Sequence, residues 1–368
     1  MFTDRGLLAD YLKTRQIIIP DLKPIFHGWP GVYESLFSQT QLEDLRVDVN
    51  RKLQNLYSQK AAKSLTPLLA ADFAYFTVSW WPHARLEEQR ILAALVIWLF
   101  TWDDEIDEPG GAVSDDFDAA EQYRAETERF VSNCLQLSEP MPNSQDLNPI
   151  VASFQAIGDA LCDAYDESQR QRLLSEIQLF MRMSRSEQQI RLLGRLPSLE
   201  EYWTFRMGTS AVYIGVASGE YANRCPLPAS IMDSQTMRDI WDETNIIISI
   251  TNDLLSLKKE IRQGCVDSVV PLTCAALMDV DLAIQDVVAQ LEASRQRFEV
   301  AARDLETQNA GESEEMRERI RHFIRVCQTN CTGNLIWSLK TARYGMAEKD
   351  VQVDEAGNCT FGNNLSVL

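Results

Sequence analysis

Two groups of oxygen-bearing side chains define the chemistry open to this chain. The run Asp103-Asp104-Glu105-Ile106-Asp107-Glu108 ends an apolar helical stretch that begins near Leu92, and Pro109-Gly110 closes it. At about 100° of turn per residue, Asp103 and Asp107 fall roughly 40° apart on one face, with Asp104 beside them. Carboxylates held so close repel one another and raise each other's pKa unless a cation lies between them. Aspartates at a helix C-terminus also oppose the macrodipole. Hard oxygen ligands of this kind suit Mg²⁺. A solvated acidic helix end is the competing reading, and Asp115-Asp116-Phe117-Asp118 reads as a similar run on a surface loop.

The second group is Asn252, Ser256 and Glu260, within Asn252-Asp253-Leu254-Leu255-Ser256-Leu257-Lys258-Lys259-Glu260. The spacing i, i+4, i+8 draws them into a stripe about 80° wide over two helical turns. An amide oxygen, a hydroxyl and a carboxylate on one stripe form an oxygen-only chelate of low net charge. Leu254, Leu255 and Leu257 are free to face a core, and the strongly apolar stretch 246–250 puts the stripe at the end of a buried helix. Chance explains one polar stripe more easily than it explains this stripe together with an aspartate-rich helix end.

The elements that must hold these groups read as helices. Over residues 284–305, Ile284, Val287, Val288, Leu291, Phe298, Ala302 and Leu305 recur near i, i+3, i+4, i+7, with Glu292, Arg295, Arg303 and Asp304 on the other side. No sustained alternation bounded by hairpin signals appears. The breaks at 108–111, 139–142, 224–228 and 308–311 are too short to be interdomain linkers, and no solenoid repeat is present. The expectation is one all-α domain over residues 1–368, with a motif-bearing core at about 70–345 and a loosely held polar tail at 346–368.

Composition removes several function classes. A formal charge of −19 argues against nucleic acid and against docking on an anionic membrane surface. An anionic substrate would need metal ions or locally placed Arg and Lys. His27, His83 and His322 are the only histidines, which disfavours a histidine triad or a histidine-rich zinc site. The eight cysteines are scattered without a CxxC pair and read as reduced core thiols of a cytoplasmic protein; Cys327 and Cys331, one turn apart, read as packing rather than a metal pair. No signal-peptide pattern opens the chain, and its most apolar stretch, 91–100, is about half a membrane span.

Two further segments complete a pattern: Phe205-Arg206-Met207-Gly208-Thr209-Ser210, and Gly333-Asn334-Leu335-Ile336-Trp337 followed by Arg343-Tyr344. With the aspartate-rich run and an NDxxSxxxE pattern matched at Asn252, Ser256 and Glu260, the four segments stand in the order that resembles class I terpene synthases, fungal sesquiterpene synthases above all. The resemblance implies a helical bundle around a central active-site cavity, whose two motifs face each other and hold three Mg²⁺ ions, with Mn²⁺ as a substitute. It implies Asp103 as metal ligand, Asp104 and Asp107 as neighbouring or pairing groups, and Asn252, Ser256 and Glu260 as joint ligands of one ion. Arg206, Lys259, Arg343 and Tyr344 become donors to a substrate diphosphate, whose charge must be neutralised as its C–O bond breaks. Thr209 and Ser210 fall where family members break a helix near the cation. Phe76, Phe100 and Trp337 become cavity aromatics whose faces stabilise carbocations, with Trp80, Trp81, Trp98 and Trp102 as further candidates. One departure is Met207, where many relatives carry a second Arg. The implied substrate is an isoprenyl diphosphate, farnesyl before geranylgeranyl, acted on by a monomer or homodimer. A trans-prenyltransferase, which carries two aspartate-rich motifs, and a non-catalytic helical scaffold are the rivals; EF-hand ligand spacing is missing.

Overall fold

The computed structural model describes residues 2, 4–58, 62–108, 110–139 and 147–362. Pro109, the greater part of the break at 139–142 and the last six residues of the tail lie outside the described residues.

Long helices dominate, as expected. The helix Gln235–Gln263, which carries the NDxxSxxxE stripe, starts at Ser234, whose hydroxyl accepts from the Met237 amide, and stops at Gly264, left-handed at φ 74°. It lies against Val280–Gln308 and Glu314–Lys340. The helix Leu86–Asp107 carries the aspartate-rich run and is buried without interruption from Leu92 to Trp98, so it reads as apolar all round rather than amphipathic. The helix Phe73–Trp80, every residue of which is buried, packs on both Leu86–Asp107 and Glu314–Lys340. Glu167–Leu192 and Leu199–Thr209 each begin with a reciprocal capping box, Asp166 with Gln169 and Ser198 with Glu201. They pack on one another beside the second-motif helix.

The all-α bundle carries one small addition, and with it one expectation needs correction. A small antiparallel sheet exists, in the order β1 (Gln16–Ile19), β3 (Cys359–Gly362), β2 (Gln352–Val353). Gln16 pairs with Gly362 and Ile19 with Cys359. As far as Gly362, therefore, the tail is not loosely held: Phe361 is 2% exposed and seats beside the buried Ile17 and Ile19. The strands are too short for alternation to reveal them, and the pairing joins chain segments that no local pattern relates.

Candidate active site

Both motif helices end at one polar chamber. It is lined by Asp103, Asp104 and Asp107 from the first, by Asn252, Ser256, Lys259 and Glu260 from the second, and by Arg206, Arg343 and Tyr344. The inner oxygens of two aspartates, Oδ1 of Asp103 and of Asp107, are buried there without a hydrogen-bond partner. Removal from water raises the Asp103 carboxyl well above its ordinary range, and Asp107, Glu187 and Asp104 push it further. Asp107 is raised to about 6 by burial, against the pull of Arg191 and Arg124. Glu187, from the helix Glu167–Leu192, stands at about 8 through burial and the nearby Asp107. Glu260 stands at about 7 through burial and Asp253, although Ser256 and Ser268 both donate to it, the latter at 2.5 Å. So many carboxyls cannot all ionise at neutral pH without added positive charge. Among the described residues no three His, Cys, Asp or Glu side chains are grouped to hold a metal by themselves. The donors on offer are mixed carboxylate, amide and hydroxyl oxygens, and with the two orphaned aspartate oxygens they fit a hard divalent cation.

Arginines meet this negative charge. Arg206 Nη2 donates to Asn252 Oδ1 and to Asp253 Oδ1, each at 2.8 Å. Burial works against its charge, but Asp253, Tyr202, Glu187 and Glu260 outweigh burial and raise its pKa. Asp253 is itself 1% exposed and accepts from Tyr202 Oη and from the Val269 amide at 2.8 Å. Arg343 grips Asp104 with two nitrogens, at 2.7 and 3.4 Å, and lies 5.2 Å from the centre of the Phe100 ring. Tyr344 Oη accepts from Asn252 Nδ2 at 2.6 Å. The Arg343-Tyr344 pair thus touches the first motif with one residue and the second with the other. Lys259 lines the chamber, with its ammonium on Glu108 Oε1 at 2.5 Å.

A second, more apolar chamber continues from the first. Asp103, Arg206, Asn252, Arg343 and Tyr344 line both. Phe76 is its hub, stacked on Trp80 at 4.6 Å and edge-on to Trp337 at 5.0 Å and Phe100 at 5.8 Å. Trp80 and Trp81 line the wall as well. A Cβ on Gly215 would come within 2.8 Å of the Trp80 ring, so the bare backbone there sets how close that ring approaches. Trp98 and Trp102 belong instead to the core: Trp98 packs on Phe154, and Trp102 on Tyr123 and Phe180, with Nε1 donating to Thr127.

Arg206, Thr209 and Ser210 lie at a helix break. The helix Leu199–Thr209 ends, Ala211 turns left-handed at φ 56°, and Val212–Ala217 begins. Asn245 holds the break from the second-motif helix: its Oδ1 accepts from Ser210 Oγ at 2.7 Å and its Nδ2 donates to the Met207 carbonyl at 2.7 Å. Gly208 permits the close packing this requires, because a Cβ there would overlap Met183. Thr209 and Ser210 both face the apolar chamber.

Residues 94–297 match the model of terpene synthase family 2, C-terminal metal binding. Sesquiterpene cyclase hepA of Aspergillus oryzae is 32% identical over 94% of this chain and 93% of its own length. Terpene cyclase braA of Annulohypoxylon truncatum is 25% identical, covering 93% and 89%. Among solved structures, an α-eudesmol synthase superposes with a TM-score of 0.72 at 18% identity, over 84% of this chain and 97% of its own. The chain belongs to the terpene synthases, as a class I cyclase. Within that class its likeness is to the fungal sesquiterpene synthases. Among the described residues no helix is long and apolar enough to cross a membrane, and all eight cysteines are free.

The sequence reading missed three groups that shape the site. Glu187 crowds the first motif, Asp253 anchors Arg206, and Asn245 pins the helix break. Asp253 stands inside the recognised pattern and was legible as a position, though not as a partner. Glu187 carries no spacing signal, since it reaches the site from another helix, Glu167–Leu192; Asn245 lies on the second-motif helix two turns before Asn252, so its face was legible but its partners at the helix break were not.

Proposed function

We propose that this protein is a cytoplasmic enzyme that ionises farnesyl diphosphate with the aid of Mg²⁺, guides the resulting cation into a sesquiterpene ring system and releases diphosphate. The observation that carries this reading is the direct opening of an aromatic chamber into a carboxylate-and-arginine chamber through Asp103, Arg206, Asn252, Arg343 and Tyr344. One chamber suits a hydrocarbon chain and the other its charged leaving group. Asp103 and the set Asn252, Ser256 and Glu260 would hold the metal, three ions in the family pattern, with Asp104 and Asp107 supporting. Bound there, divalent ions would neutralise the leaving diphosphate and so ease C–O cleavage.

This chain's own residues account for the remaining tasks. Arg206, Lys259, Arg343 and Tyr344 donate to the diphosphate: Arg206 keeps a buried Nε without a partner, and Tyr344, which accepts from Asn252, keeps its own hydroxyl proton to give. Phe76, Phe100 and Trp337 turn their π-systems toward the reacting chain and stabilise positive charge without offering a nucleophile. Thr209 and Ser210, on the wall of the apolar chamber at the helix break, would face the cation. The choice of farnesyl over geranylgeranyl diphosphate is supported by relatives named sesquiterpene cyclase. A single aspartate-rich run supports cyclisation over chain elongation.

The test is incubation of purified protein with Mg²⁺ and geranyl, farnesyl or geranylgeranyl diphosphate, followed by analysis of volatiles and of released diphosphate. Cyclic fifteen-carbon products from farnesyl diphosphate are expected. Linear elongated diphosphates as the main products, or no turnover of any substrate, would overturn the reading.

A further inference from the structure

The segment bearing Arg343 and Tyr344 is fastened on both sides, and the second fastening has no role in the chemistry described so far. On one side Thr341 closes the helix Glu314–Lys340: its amide donates to the Trp337 carbonyl at 2.8 Å and its hydroxyl to the Ala71 carbonyl at 3.0 Å. On the other side stands Lys258, whose side chain is 0% exposed. Its ammonium donates to the Gly345 carbonyl at 2.9 Å, to Glu348 Oε2 at 2.9 Å and to Asp350 Oδ1 at 2.5 Å. An ammonium has three donors, and all three are spent on one short stretch of chain. Arg262, one turn further along the same helix, holds the same two carboxylates at 2.8 Å each. Gly345 is left-handed at φ 71°, which lets the strap turn back toward Lys258 immediately after Tyr344.

Lys258 and Lys259 are adjacent in sequence but meet different surroundings. Lys259 lines the polar chamber, whereas Lys258 does not. A buried ammonium that loses its partners is left uncompensated away from water, so the strap cannot lift from this helix as a free loop does. Only Ala342, Arg343 and Tyr344 remain between the two fastenings.

We propose that Lys258 is a positioning residue, which ties the strap to the second-motif helix so that Arg343 and Tyr344 are delivered to the two motifs at once. The inference rests on the function proposed above. It assigns the strap only local freedom: Arg343 and Tyr344 change partners when diphosphate arrives, while residues 345–350 stay in place. The metal-bearing helix and the closing residues then move as one body, and the apolar chamber is shut to water before the cation forms.

The test uses the full-length enzyme with Lys258→Met and, separately, Glu348→Gln combined with Asp350→Asn. The second variant alters carboxylates that are 46% and 47% exposed and spares the core, so it carries the test if Lys258→Met does not fold. Hydrogen exchange across 341–350 is expected to quicken in both. kcat/KM for farnesyl diphosphate is expected to fall by about tenfold to a hundredfold, the scale on which small misplacements of reacting groups act. Water-captured alcohols should rise as a share of products, which a merely lowered melting temperature would not cause. Unchanged exchange in the strap, or faster exchange with wild-type kcat/KM and product profile, overturns the proposal. A wild-type enzyme inactive on every isoprenyl diphosphate counts against the preceding reading instead, and the exchange comparison still decides whether Lys258 anchors the strap.

Discussion

In the polar chamber most charged groups are held by an opposite charge: Arg206 by Asp253, Arg343 by Asp104, Lys259 by Glu108. In the aromatic chamber the rings hold one another, and their polar edges are bonded outward or not at all. Trp337 Nε1 donates to the Ala71 carbonyl at 2.8 Å, while Trp80 Nε1 and Trp81 Nε1 are buried without partners. The first region is cross-linked by contacts that can be exchanged for a ligand's, and removal of one member strands another. The second is a packed surface in which one ring can be trimmed while its neighbours keep their places. Losses should therefore be steep at the mouth and graded at the floor.

The steepest loss is expected on metal removal. With EDTA, turnover should stop and return on addition of Mg²⁺, because Arg206, Lys259 and Arg343 are already engaged by carboxylates and supply too little free positive charge for a diphosphate. Full turnover in chelator would dissolve the contrast between the chambers. Glu260→Gln and Asn252→Ala should each lower kcat by about 10²–10³, the scale of losing one preorganised charge-stabilising group. Asp103→Asn should cost more than Asp107→Asn, and equal losses would place both in the same role.

Arg206→Ala should come next, with kcat/KM lower by about 10²-fold, since a charge-assisted contact to the leaving group strengthens as charge develops. It should also destabilise the fold, because Asp253 is buried and loses its cation. Kinetics measured well below the melting transition separate the two effects. A near-normal rate would mean that Arg206 serves only to hold Asp253.

Acidity sharpens the comparison further. Glu260 titrates at about 7 through burial and Asp253, above the usual carboxyl range. A folded-state pKa raised in this way means that the ligand-free protein binds more protons than its unfolded chain between roughly pH 4.5 and 7. That contribution to stability is present at low pH and is lost as pH rises through 7. Metal and diphosphate require the ionised form, so their stabilising effect should grow over the same interval. Melting curves from pH 5 to 8, with and without Mg²⁺ and diphosphate, should diverge as pH rises; parallel curves would show that Glu260 is not the group in contact with the metal.

The smallest effect on rate is expected at the floor. Phe76→Leu, Phe100→Leu or Trp337→Leu should change the product mixture more than substrate consumption. Each ring face contributes about 0.5–2 kcal/mol to a nearby cation, and about 1.4 kcal/mol between competing branches is a tenfold shift in flux. Product profiles at matched consumption decide it; three unchanged profiles would make these rings ordinary core.

What could be read in advance follows from how far apart the cooperating residues stand in the chain. Asp103 with Asp107, and Asn252 with Ser256 and Glu260, are related by helical pitch alone, so spacing placed each set on one face. Arg343 and Tyr344 were legible only through family likeness, since nothing local tells that Arg343 meets Asp104. Glu187, Asn245 and Lys258 lay beyond reach because their partners come from other elements. The text of Lys258-Lys259 gives no hint that one ammonium is buried and the other lines the chamber. The β1–β3 pairing escaped for the same reason in a sharper form, its two strands being separated by nearly the whole described chain.

That pairing has a consequence for biogenesis. During synthesis the N-terminal part of the chain emerges first and domains tend to fold in that order, yet β1 has no ladder partner until residues 359–362 are made. Ile17 and Ile19, wholly interior in the finished protein, are left waiting with an open backbone edge throughout translation. Closing so long a loop is slow relative to local helix formation, so the seam joining β1 to the strap region should be among the last contacts to set. The nascent chain would then be most exposed to mispairing at β1, and the segment just before β3, which carries Arg343 and Tyr344, would be fixed only when the seam has closed.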